Sequence, residues 1–149
     1  MSALLEVRAL EWADPDGLVL DERQARVMEG FDWRKCIRDA AEMGPVWTAL
    51  WAGRAIGIAG VSTMWTGRGM SWCYLAPEIP QWAWPGLHRA VGLRLDDLQA
   101  GGLRRIEAEV RQGFVPGSRW ANMLGFRCEG ISDAYFPDGA ACERWARVR

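Results

Sequence analysis

Histidine and lysine are nearly missing from this chain: His88 and Lys35 are the sole examples in 149 residues. The four cysteines, at 36, 73, 128 and 142, form no Cys-x-x-Cys pair. With one imidazole and thiols this far apart, the spacings of a zinc site are not met, and we expect no metal. No apolar run reaches the length of about 20 residues that spans a bilayer. Leu4, Leu5 and Val7 are broken by Glu6 and Arg8, which is not the charged-then-apolar order of a signal peptide. Excess charge is lacking too, since 18 basic residues face 19 acidic ones for a net charge of −1. That balance supplies no field to draw the chain onto nucleic acid or an anionic membrane, so neither is expected as a partner. Repeats, low-complexity segments and linkers are absent, and reduced thiols inside a cell are the plain expectation.

Half of the residues are apolar, enough for a chain of this length to bury a core without metal or disulfide support. One domain over residues 1–149 is therefore the default. Ten tryptophans, at 12, 33, 47, 51, 65, 72, 82, 84, 120 and 145, are many for this length. Tryptophan serves cores and protein interfaces alike, and a small domain has little interior for ten rings, so some are expected to face a partner.

Periodicity and turn residues divide the chain. Residues 3–10 alternate as a first strand, broken by Asp14-Pro15-Asp16-Gly17. Helices are predicted over 20–29 and 31–43, the second stopped by Gly44-Pro45. Residues 46–51 and 55–64 read as antiparallel strands joined at Ala52-Gly53-Arg54, and a third strand runs over 70–75 after Thr66-Gly67-Arg68-Gly69. Gly67 and Gly69 join strands with no helix following, which makes a hairpin rather than a phosphate loop. Pro85 begins a helix with Leu87, Val91, Leu95 and Leu98 at helical spacing, ended by Gly101-Gly102. Residues 105–111 alternate strictly. Pro116 opens a short helix carrying Trp120 and Leu124 inward, and 127–134 with 140–148 close as a hairpin across Pro137-Asp138-Gly139.

The run Arg119-Trp120-Ala121-Asn122-Met123-Leu124-Gly125-Phe126-Arg127-Cys128-Glu129-Gly130 carries a helix into Leu-Gly-Phe, a strand and an acidic-glycine end. It resembles the C-terminal motif of the GNAT N-acetyltransferase superfamily. The order strand, two helices, three strands, helix, strand, helix, two strands is similar to that fold over about the whole chain, most strongly from residue 46 onward. With Tyr135-Phe136-Pro137-Asp138-Gly139 and the Arg147-Val148 ending, the run is most similar to the small GNAT-like proteins of tailed bacteriophages and prophages. The resemblance implies an α/β (α+β) fold in which about four helices flank a mixed, mostly antiparallel central sheet of about six to seven strands.

It also implies a cofactor site. Such enzymes hold acetyl-coenzyme A through backbone N–H groups in a Gln/Arg-x-x-Gly-x-Gly/Ala loop before a helix, strand carbonyls and amides along the pantetheine arm, and acid or base groups at the thioester. The matching stretch here runs from Pro77 to Arg89. Gly86 is its one permissive glycine, Pro85 removes a donor, Trp82 and Trp84 crowd the turn, and Glu78 has the wrong sign. If acetyl-coenzyme A is bound at all, the resemblance points to Leu75, Ala76, Gly86, Leu87, His88 and Arg89. Many relatives place a tyrosine three residues before the Leu of Leu-Gly-Phe to protonate the coenzyme thiolate; this chain has Ala121 there. No catalytic residue is assigned. Glu107 and Glu109 share a strand face and could present paired carboxylates to a cleft, but alternation with Arg105 and Arg111 reads more simply as a solvated or partner-facing surface.

The expectation is therefore a phage or prophage GNAT-like protein without a cofactor, found in host cytoplasm or the virion. It would act as a virion-associated or assembly (head/tail) protein through contacts with virion proteins or with itself. The alternatives are an acetyl-coenzyme A-dependent N-acetyltransferase acting on an amine, and a modifier or inhibitor of a host protein.

Overall fold

The computed structural model describes residues 4–149. In chain order the elements are β1 (Leu5–Ala9), α1 (Asp14–Gly17), α2 (Glu22–Val27), α3 (Trp33–Ala40), β2 (Val46–Trp51), β3 (Arg54–Trp65), β4 (Arg68–Leu75), α4 (Trp84–Ala100), β5 (Arg105–Arg111), α5 (Val115–Met123), β6 (Arg127–Ser132) and β7 (Cys142–Val148). The seven strands form one sheet in the order β1-β2-β3-β4-β5-β7-β6. Antiparallel registers join β1 to β2, β2 to β3, β5 to β7 and β6 to β7; β4 and β5 run parallel. Among the described residues no helix is long and apolar enough to cross a membrane.

Helix α1 occupies the Asp-Pro-Asp-Gly segment expected only to break a strand, so five α-helices, rather than about four, stand among the described residues. Pro15 sits in its first turn, where a missing N–H costs nothing. Helices α2 and α3 are shorter than periodicity predicts, and each starts two residues later because an aspartate caps its N-terminus. The Asp21 carboxylate accepts the Arg23 N–H at 2.9 Å, and Asp32 accepts that of Lys35 at 3.1 Å.

The described chain divides into two compact units, one comprising the chain up to Ser62 with Trp72–Val91, the other Thr63–Ser71 with Gly92–Arg149. In the first, Leu18, Ile37, Val46 and Ile58 form a core against which Trp33, Trp72 and Tyr74 pack. A second cluster joins Ala49, Ile56, Ala83 and Leu87. Strand β3 passes beneath the Trp72 ring at Gly60, where a Cβ would stand 2.7 Å from the ring and 2.8 Å from the Pro45 carbonyl oxygen. The β2–β3 turn takes positive φ at both Ala52 (48°) and Gly53 (79°), as a two-residue hairpin matched to strand twist requires.

The second unit explains Leu-Gly-Phe in backbone terms. Helix α5 ends at Leu124, and Gly125 turns left-handed at φ 89°. The Gly125 N–H then donates to the Asn122 carbonyl at 3.1 Å, and that of Phe126 to Ala121 at 3.0 Å. These are the two bonds of a Schellman stop, and the chain reversal buries Phe126. Trp120 and Leu124, expected inward, are only half-buried; Ala121 and Phe126 are the buried residues of this stretch. Further on, Glu129 is the extra residue where the β6–β7 register shifts between Cys128 and Gly130.

Asp14 ties β1 and β2 to α1. Its carboxylate accepts two bonds from the Arg8 guanidinium, at 2.7 and 2.9 Å, and one from the Thr48 hydroxyl at 2.6 Å. Burial pushes this carboxyl upward, but the bonds from Arg8, Thr48 and the Glu11 N–H outweigh it and hold the pKa at about 2, below the ordinary 3.8. The stabilisation is thus complete above the unfolded value and is lost as pH falls toward 2. Asp14→Asn is expected to cost about 1–2 kcal/mol at neutral pH, allowing for partial solvent screening. It should also flatten the acid limb of stability below about pH 5, as read from urea unfolding at stepped pH.

Candidate functional site

At the end of β4, the Ala76 N–H donates to the Ile56 carbonyl on β3 at 2.9 Å. Neighbouring residues in a strand face opposite edges, so the backbone groups of Cys73 and Leu75 point away from β3. Three of these groups are held by α2 and its cap. The Gln24 carboxamide donates through Nε2 to the Cys73 carbonyl at 2.7 Å and accepts the Leu75 N–H at Oε1 at 2.8 Å. The Asp21 N–H donates to the Leu75 carbonyl at 2.9 Å. A single side-chain amide thus completes the pattern that a peptide group would make along this edge.

Helix α4 begins earlier than Pro85 because a 3-10 turn, Gln81–Ala83, leads into it. The Ala83 N–H is spent on the Pro80 carbonyl at 2.9 Å, the Trp84 N–H on Gln81, and Pro85 has none. Donors that a helix start could offer an anion are correspondingly reduced. Gly86 answers to packing: a Cβ there would lie 2.7 Å from Cδ2 of Leu5 on β1. Leu87 is buried in the cluster with Ala49, Ile56 and Ala83, leaving only its backbone to any ligand. His88 is half-buried, and Arg89 is exposed as the cation of this segment. Trp82, expected to crowd the turn, is 79% exposed. All six residues implied by the resemblance belong to one compact unit, together with Gln24 and Asp21.

The two carboxylates of β5 part company. Glu107 is buried, and Arg68 meets it with bonds at 2.8 Å to each oxygen while Arg105 Nε donates at 3.2 Å. The Arg68 bonds hold the Glu107 carboxyl below its ordinary range against the opposing effect of burial, with Arg105 assisting. Arg68 in turn lies over the Trp65 ring at 4.2 Å. Glu109 is exposed and accepts the Tyr135 hydroxyl. A solvated face therefore describes Glu109, whereas Glu107 is the centre of an ion-paired cluster. Ala121 is buried, so a tyrosine at this position would enter packed core.

Gln24 and Asp21 escaped the sequence reading. Gln24 stands 49 and 51 residues from its two partners, and no local spacing marks it. Asp21 has the residue type of an ordinary helix cap, which carries no mark of a strand partner.

No family model matches this chain, and no curated protein matches it. Solved structures do. The ribosomal-protein-S18-alanine N-acetyltransferase of Escherichia coli superposes with a TM-score of 0.73 at 19% identity, covering 97% of this chain and 94% of that one. The ribosomal-protein-S5-alanine acetyltransferase of Vibrio fischeri gives 0.73 at 17%, over 97% and 92%. YncA of Salmonella typhimurium, whose structure holds its cofactor acetyl-CoA, gives 0.72 at 14%, over 97% and 94%. The chain therefore has the GNAT fold, a mixed sheet of seven strands with flanking helices. The expectation of no cofactor finds no support among these neighbours, one of which carries acetyl-CoA. Nothing in these neighbours points to a phage or virion protein.

The contrast between the carboxylates is measurable. Glu107→Gln leaves two guanidiniums facing a neutral amide at a buried position and is expected to cost about 3 kcal/mol. Glu109→Gln, at an exposed position, should cost less than about 1 kcal/mol. Chemical denaturation of both variants checks the order.

Proposed function

We propose that this chain is an acetyl-CoA-dependent N-acetyltransferase acting on an amine. The observation that carries the reading is the fold, shared over 97% of the chain with ribosomal-protein alanine acetyltransferases. A local feature adds to it: the edge at Cys73 and Leu75 already accepts a carboxamide, and so has the donor and acceptor set for an amide-bearing arm. Acetyl-CoA would supply a thioester there, from which the acetyl group passes to an amine nitrogen with release of the thiol. The chain's own part is to bind and orient. Cys73 and Leu75 would align the arm through their backbone groups, Ala76 keeps the strand tied to β3, and Arg89 offers positive charge to phosphate from an exposed helical position. With Ala83 and Trp84 already paired and Pro85 lacking an N–H, the anion would lean on this guanidinium more than on a backbone cradle.

A second reading is favoured by one observation: Trp12, Trp65 and Trp82 are 76%, 60% and 79% exposed. Rings held in water at this level suit a protein contact, as in a virion-associated or assembly protein, or a binder of a host protein. Co-purification with particles supports the first of these and capture of a host protein the second.

Calorimetric titration with acetyl-CoA, with coenzyme A in parallel, tests the leading reading. Saturable binding is expected, and ligand at 100 times its Kd should add about 2.7 kcal/mol to unfolding stability. Arg89→Ala should weaken binding by about tenfold, the value of one charge-assisted contact. An absence of both heat and stabilisation at millimolar ligand overturns the assignment.

A further inference from the structure

We infer that Gln24 is a built-in competitor for the strand edge on which coenzyme would lie, so that this structure is a closed form that opens by withdrawal of α2. The inference rests on the acetyl-CoA reading above and concerns regulation of that same site. The Gln24 carboxamide takes the Cys73 carbonyl and the Leu75 N–H together, at 2.7 and 2.8 Å, one donor and one acceptor from a single planar amide. An amide of an extended arm needs those same two groups. Both cannot be served at once: the Leu75 N–H has one proton to give. The neighbouring Leu75 carbonyl is covered by the Asp21 N–H at 2.9 Å, so the contact belongs to the start of α2 and is more than one side chain wide.

The covering element is suited to leaving. Helix α2 has six residues and buries none of them fully. A helix this short has little stability of its own and depends on what it packs against. Its cap bond from Arg23 to Asp21 and the ion pair from Arg26 to Glu22 lie within the segment, at 2.9 and 2.8 Å, and can travel with it. Among what the segment gives up on opening are its bonds to β4 at Cys73 and Leu75, which an incoming amide arm replaces. The closed form thus satisfies the strand edge without ligand and lowers the apparent affinity by the fraction of molecules that are open.

Three proteins decide this: wild type, Gln24→Ala, and Gln24→Glu, which keeps the side-chain shape but removes the donor to Cys73. Acetyl-CoA binding is read by calorimetry, and exchange of the Leu75 amide by hydrogen–deuterium NMR without ligand. Both variants are expected to bind about tenfold tighter than wild type, and Gln24→Ala, which also removes the acceptor, to exchange the Leu75 amide faster when unliganded. Wild type should keep that amide protected both with and without acetyl-CoA, as one acceptor replaces another. Coenzyme binding that is unchanged or weaker in both variants overturns the competitor while leaving the acetyl-CoA reading intact. Absence of binding in all three proteins overturns the acetyl-CoA reading and the competitor with it.

Discussion

Every backbone group of β4 needs a partner, and its ladder with β5 is too short to supply one along the whole strand. Its parallel ladder with β5 runs only from Arg68 to Met70, paired with Arg105 to Glu107, and the Ser71 hydroxyl extends it by one bond to the Glu107 carbonyl at 2.7 Å. Further along, an unpaired amide or carbonyl would carry the full desolvation penalty of a buried polar group. At Cys73 and Leu75 the answer is a glutamine from a short helix. Left unpaired these groups would be a liability, and Gln24 pairs them.

The remaining polar interior follows the same economy. Glu107 sits within the sheet because two guanidiniums neutralise it, one of them spread over an aromatic ring. Asp14 holds three donors in a comparable way. In the second unit, Arg147 bonds the Leu124 carbonyl at 3.0 Å and the Gln99 side chain at 2.9 Å, tying the Schellman stop to β7 and α4. Each cluster contains an arginine and reaches at least one group distant in sequence. Planar guanidinium donors suit this, since one side chain can serve several acceptors at once.

Much of the architecture was legible from residue order. Strands β2, β3 and β5 and helix α4 announce themselves by period and by flanking turn residues, and the Leu-Gly-Phe run marks a helix stop whose glycine must turn left-handed. The site was legible only in part. Gly86 reads as a place for phosphate to approach, yet the atom that needs the space is Leu5 Cδ2. Glu107 and Glu109 look equivalent by alternation, but only Glu107 has Arg68 beside it. The tryptophans gave a mixed answer: Trp72 covers Gly60 in a core, while Trp12 and Trp82 stand in water.

The order and type of most elements, α1 excepted, the balance of charge and the helix stop at Gly125 were determined by local sequence, because period, turn chemistry and backbone permissiveness act over a few residues. Tertiary structure decided which polar groups meet. That Gln24 closes on β4, that Glu107 is buried and Glu109 is not, and that Leu87 belongs to the core rather than to a ligand all depend on contacts across tens of residues. Sequence spacing carries no record of such contacts, since they are set by how the strands and helices pack once formed.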